Sequence, residues 1–150
     1  IMINLMLQNR QPIIYGDGEQ KRSFSDIDDC IYCIDKLTTD PNITSQLVNI
    51  GPGPENQITI NKLYEVIANQ LQFNKEPQRE PERVNEVKYA ICSSDLAENL
   101  LNSKPNKDID SVIVKMIDYI RNKGVKKFEY NFKIEINNEL TPDTWKKKLI

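Results

Sequence analysis

The chain switches repeatedly between two hydrophobic periods, and none of its apolar stretches is long. Ile27, Cys30, Ile31, Ile34 and Leu37 recur at helical spacing, as do Ile60, Leu63, Tyr64, Ile67 and Leu71. Around them stand apolar runs of a few residues only, Ile13-Ile14-Tyr15 and Leu47-Val48-Asn49-Ile50, each closed by turn residues. Helices interleaved with short strands call for an α/β fold. Strands at 22–25 and 47–50, each flanked by a helix, are expected to be the end of a parallel sheet whose centre lies elsewhere. At 150 residues the chain is expected to form one domain, 1–150.

Capping residues and breakers set the boundaries. Residues 2–9 read as the end of a helix stopped by Asn9-Arg10-Gln11-Pro12. Asp26 or Asp28 can cap the helix through Leu37, and Thr59 the one that follows. Ser93 or Ser94 opens a short helix to Leu101, and Asp110 or Ser111 opens another that closes on Gly124. Val87 to Cys92 suits an edge strand. Phe128, Tyr130, Phe132, Ile134 and Ile136 alternate with polar residues, as an extended, half-buried segment does. Pro142 to Leu149, with the only tryptophan, Trp145, suits a short basic helix. About five helices and a few short strands result.

Composition narrows the chemistry. Twenty basic and 22 acidic residues leave a net charge of −2, so the chain as a whole has no attraction for nucleic acid or an anionic membrane. No apolar run approaches the roughly 18 residues that span a bilayer, and no secretory leader is visible. With three cysteines, the expected setting is a reducing cytoplasm. A first residue of Ile1 suggests that a longer protein precedes it. Histidine is absent altogether, which removes the commonest general base, the Ser-His and Cys-His pairs and the usual zinc ligand. Proton chemistry is left to Tyr, Lys, Asp, Glu or Cys.

Local motifs are individually weak. Gly16-Asp17-Gly18 lacks the Gly-Lys-Ser/Thr of a P-loop and the third glycine of a dinucleotide fingerprint, so a tight hairpin turn is expected. Arg22, just beyond it, is placed to reach a phosphate, although spacing alone favours an ordinary surface arginine. Cys30 and Cys33 have redox spacing but lie on the apolar face of a helix, where core packing explains them better. No zinc site follows from three cysteines without histidine. Asp26, Asp28 and Asp29 lack the glycine and glutamate of a calcium loop and suit helix capping. Tyr119 and Lys123 have the spacing of a Tyr-x-x-x-Lys proton relay, but no nucleotide loop precedes them. Lys146-Lys147-Lys148 reads as a solvated helix end.

Taken in order, IIYGDGEQKRSFSDIDD, LVNIGPG, ITINKLYEVIA and PERVNEVKYAICSSDLAENLL resemble the C-terminal part of an extended short-chain dehydrogenase/reductase. The blocks are similar to the NAD-dependent nucleotide-sugar epimerase/dehydratase group, which includes UDP-glucose 4-epimerase, from about Ile1 to Gly124. The resemblance implies the substrate-binding part of a Rossmann-type enzyme. Its hairpin matches Ile13-Ile14-Tyr15-Gly16, with Ile13 and Tyr15 along the nucleotide base. Its arginine before an aromatic matches Arg22, which would reach the diphosphate. Its second arginine, with an acidic residue three positions on, matches Arg83 and Glu86, on the diphosphate and the ribose hydroxyls. The aspartate opening the next helix matches Asp29. Ser23 departs from the pattern, where Asp is common, and so does Asn102-Ser103, which replaces a Gly-aromatic pair.

The same resemblance places the NAD loop and the catalytic Tyr-x-x-x-Lys in an N-terminal half. This chain would then bind no NAD and hold no catalytic residue, and alone it should be inactive. Nucleotide sugar, with a UDP-sugar as the expected form, and that N-terminal domain are the implied partners, with a homodimer for the full-length protein. The alternative is a non-enzymatic interaction or ligand-binding module descended from the family.

Overall fold

The computed structural model describes residues 1–131, 133 and 137–150. Six α-helices and five short strands lie among them: α1 (Met2–Leu7), β1 (Ile13–Tyr15), β2 (Lys21–Ser23), α2 (Ile27–Thr39), β3 (Gln57–Thr59), α3 (Ile60–Leu71), β4 (Gln78–Glu80), β5 (Tyr89–Ala90), α4 (Asp95–Leu101), α5 (Ile109–Lys123) and α6 (Asp143–Lys146). None of these helices is long and apolar enough to cross a membrane.

The caps follow side-chain chemistry. Asp26 accepts from the Asp28 N–H at the start of α2, and the Thr59 hydroxyl accepts from the Lys62 N–H at the start of α3. Ser94 is the N-cap residue of α4, while the neighbouring Ser93 Oγ accepts from the Asp95 N–H. The cap of α5 is Asp108 rather than Asp110 or Ser111, because its carboxylate accepts from the Asp110 N–H and so starts the helix a step earlier. Asn102 closes α4 in the left-handed conformation (φ 51°), which asparagine tolerates.

Two apolar clusters hold the helices. Ile3 and Met6 of α1, Val66, Ile67 and Ala68 of α3, and Ile113 and Ile117 of α5 form one. Cys33 of α2 with Ala97 and Leu101 of α4 forms the other. Helix α2 thus turns Cys33 inward, whereas Ile27, Ile31 and Ile34 of the face that its spacing predicts to be buried are exposed. Burial, and then the charge of Asp29, push the Cys30 thiol above its ordinary range, the opposite of what a redox thiol needs.

The strands form two small sheets. In one, β1 runs parallel to β4, with Ile13 opposite Gln78 and Tyr15 opposite Glu80. In the other, β2 is central, antiparallel to β3 and parallel to β5. The turn at Gly16–Gly18 is therefore not a hairpin, since the strands on either side of it enter different sheets. Asn61 at the start of α3 explains why: its side chain donates to the carbonyl of Asp17 (2.8 Å) and its backbone N–H to that of Gly18 (3.0 Å). Arg79 of β4 donates to the Asp17 carbonyl as well (3.1 Å). The turn is pinned between α3 and β4 instead of closing a ladder.

Three expected extended segments differ. Leu47–Ile50 forms no strand: Val48 and Ile50 pack against the second cluster, but Leu47 is 92% exposed. No described strand lies alongside to take its backbone hydrogen bonds. The edge strand expected at 87–92 is two residues long, β5. In the alternating segment, Phe128 to Asn131 carries no ladder, and Phe132, Ile134 and Ile136 lie outside the described residues.

Candidate functional site

Strand β1, strand β2 and the loop that follows β4 meet around a cleft of about 190 Å³. Ile13 and Tyr15 line it from β1, Arg22 from β2, and Arg83 and Glu86 from the loop. All five residues expected to hold a nucleotide are thus neighbours, although Arg22 and Glu86 are 64 residues apart in sequence.

The backbone sets the first wall. Strand β1 bonds to β4 through the carbonyl of Pro12 and the N–H of Gly16. In a parallel ladder alternate residues face opposite edges, so Ile13 and Tyr15 turn their amides away from β4. The Tyr15 carbonyl there accepts from Gln20 Nε2 (3.3 Å).

The charged wall is already internally paired. Arg22 Nη2 donates to Glu86 Oε1 at 2.6 Å, and Arg22 Nη1 donates to the carbonyl of Lys21 at 2.7 Å. Arg83 reaches the other Glu86 oxygen at 4.0 Å, the outer limit of an ion pair. Glu86 is the shared counter-ion of two guanidinium groups and the most buried of the three side chains, 14% exposed against 26% for Arg22 and 47% for Arg83. The guanidinium carbon of Arg83 lies 4.1 Å from the centre of the Tyr15 ring, a cation–π contact.

Tyr15 is the buried hub. Its hydroxyl donates to Thr144 Oγ1 (2.9 Å) and accepts from the Thr144 N–H (2.8 Å). Thr144 was not legible as a site neighbour, because nothing in the sequence ties it to a residue 129 positions away. Gln20 was legible in principle: it stands two residues before Arg22, on the same side of an extended segment.

Other candidates go elsewhere. Asp29 accepts from the Asn106 N–H (2.6 Å) and anchors the 102–108 connection rather than the cleft. Asp26 caps α2 and pairs with Lys115 Nζ (2.7 Å). Lys123 lies over the ring of Tyr119, which is 63% exposed, so these two form no enclosed proton relay.

No family model matches the chain. It is 32% identical over 125 residues to the Putative UDP-glucose 4-epimerase of Methanocaldococcus jannaschii, covering 81% of this chain and 38% of that protein. Among solved structures it is similar to the UDP-N-acetylglucosamine 4-epimerase of Methanobrevibacter ruminantium in complex with UDP-N-acetylmuramic acid. That match has 25% identity and a TM-score of 0.71, over 82% of this chain and 38% of the other. It is also similar to the UDP-glucuronic acid 4-epimerase of Bacillus cereus in complex with UDP-glucuronic acid and NAD, with 28% identity and a TM-score of 0.68 over 82% and 39%. The chain spans little more than a third of the length of these relatives. These homologues are NAD-dependent epimerases of the extended short-chain dehydrogenase/reductase family, and in sequence and fold this chain is similar to their C-terminal part.

Proposed function

We propose that this chain is the nucleotide-sugar-binding part of an NAD-dependent epimerase or dehydratase, and that the cleft between β1, β2 and the loop after β4 takes the nucleoside diphosphate. The observation that carries this reading is the convergence of Arg22 and Arg83 on one half-buried carboxylate, Glu86. Two guanidinium groups held by a shared counter-ion are spaced for an oxyanion with several acceptors, and a diphosphate supplies them in bidentate pairs. Glu86 then accepts from the ribose diol. The outward amide groups of Ile13, with the Tyr15 backbone beside them, offer a hydrogen-bonding edge to a base. Binding energy gathered here is remote from the sugar ring and serves to orient it.

The residues described do not fit NAD. The Gly16–Gly18 turn leads into β2 instead of a helix N-terminus, so no ring of free N–H groups faces a pyrophosphate. The space that a Cβ at Gly18 would need is filled by Asn61 and Arg79, which leaves no cradle. On this reading the residues described here take no hydride step. In the intact protein that step falls to an N-terminal NAD-binding part, whose docking face here is apolar: Ile27, Ile31 and Ile34 of α2 and Leu47 are exposed. That same surface favours the second reading, an interaction module without catalysis.

Calorimetry of the intact polypeptide with UDP tests the cleft. Arg83→Ala is expected to weaken binding about ten- to a hundredfold, the loss of a charge-assisted contact. Unchanged affinity would remove Arg83 from the site.

A further inference from the structure

The cleft has a support that comes from the end of the chain. Residues 138–150 fold back onto the strands that carry the site, and each anchor is specific. Thr144 exchanges two hydrogen bonds with the Tyr15 hydroxyl, at 2.9 and 2.8 Å, and both residues are buried. The Thr144 carbonyl accepts from the Tyr130 hydroxyl (3.3 Å), which accepts in turn from the Ile150 N–H (3.0 Å). Arg10 donates to the Leu149 carbonyl (3.1 Å), and Lys147 pairs with Glu80 of β4 (3.5 Å).

These anchors act on a ring that has a task. A phenol hydroxyl that both donates and accepts in a buried place fixes the far end of the ring, because moving it away leaves a polar group unpaired. The fixed ring lies under the Arg83 guanidinium at 4.1 Å. Arg83 stands in the loop after β4, outside any strand ladder, and its ion pair with Glu86 is long at 4.0 Å. The Tyr15 face and the Glu86 carboxylate are thus the two contacts described for its charged end. A guanidinium already held in place loses less freedom when an anion arrives.

We propose that Thr144 is a positioning residue: through Tyr15 it presets Arg83 at the mouth of the cleft, so that the C-terminal segment works as a strap on the anion clamp. The proposal rests on the cleft being the diphosphate site, and its test separates the two.

The experiment is calorimetry of the intact polypeptide with UDP on four variants. Thr144→Val removes the hydroxyl at nearly constant volume and is expected to weaken UDP about three- to tenfold, the scale of one buried hydrogen bond. Thr144→Ser keeps the hydroxyl and is expected to bind as the parent does. Arg83→Ala tests the cleft itself, and in that background Thr144→Val is expected to add nothing. The strap is overturned if Thr144→Val leaves affinity unchanged while Arg83→Ala lowers it, or if Thr144→Val costs the same with and without Arg83. Parent-like binding by Arg83→Ala overturns the cleft and the strap together. Should Thr144→Val fail to fold, Tyr15→Phe carries the same comparison from the other end of the bond, alone and with Arg83→Ala.

Discussion

The carboxylate of Asp26 is buried among three kinds of donor: the Lys115 ammonium, the backbone N–H of Asp28 and the side-chain amide of Asn106. The Lys115 hydrogen bond and then that of the Asp28 N–H hold its pKa below the usual 3.8, against a smaller opposing effect of burial. A folded pKa below the unfolded one means stability that is present above about pH 4 and is lost as pH falls through the folded value. Asp26→Ala is expected to cost about 2 kcal/mol in urea unfolding at pH 7, from the lost cap and its paired charge. The gap between parent and variant should close on acidification below about pH 4; a gap that persists in acid would show that the charge is not the cause. At this scale the candidate site was legible only in part. Arg22, Arg83 and Glu86 came from family resemblance, since spacing alone could not separate Arg22 from a surface arginine. Thr144 carried no signal at all.

Among the elements, the turn at Gly16–Gly18 shows how tertiary contacts redirect a local preference. Asp-Gly favours a tight turn, and the turn forms, with the Glu19 N–H donating to Asp17 Oδ1 (2.9 Å). Asn61 and Arg79 then hold it, and β1 and β2 diverge. Gly18 has φ +76°, and a Cβ there would collide with Asn61, whose amide is already committed to Asp17, Glu19 and Arg79. Gly18→Ala is therefore expected to destabilise the protein by about 1–3 kcal/mol. Thermal denaturation checks it, and a neutral result would mean that the Asn61 bonds relax freely. Helices fared better than strands in the sequence because each satisfies its own backbone. A strand needs a neighbour, and 47–50 has none among the described residues.

For the whole molecule, the apolar surface is unevenly covered. Ile27, Ile31 and Ile34 of α2 and Met116 and Tyr119 of α5 are exposed, and the latter pair borders, with Ile27, a groove of about 750 Å³. Exposed apolar patches of this kind are unusual on monomers and mark interfaces. The 150-residue chain expressed alone is expected to self-associate or precipitate at micromolar concentration. Sedimentation velocity checks this, and a monodisperse monomer would argue that the face needs no cover.

The sequence by itself determined the helices and the caps of α2, α3 and α4, because such features depend on residues a turn or two apart, while the cap of α5 fell at Asp108 instead. It also determined the chemistry available, by lacking histidine, and the family resemblance, through several blocks in order. Only the tertiary structure decided that β1 and β2 part company, that 47–50 stays without a ladder, and that Glu86 is the common partner of Arg22 and Arg83. It alone brought Thr144 to the hydroxyl of Tyr15. The Arg83–Glu86 pair aside, each of these turns on contacts, made or missing, between residues tens of positions apart, where pairing is settled by which groups remain unsatisfied once the helices have packed.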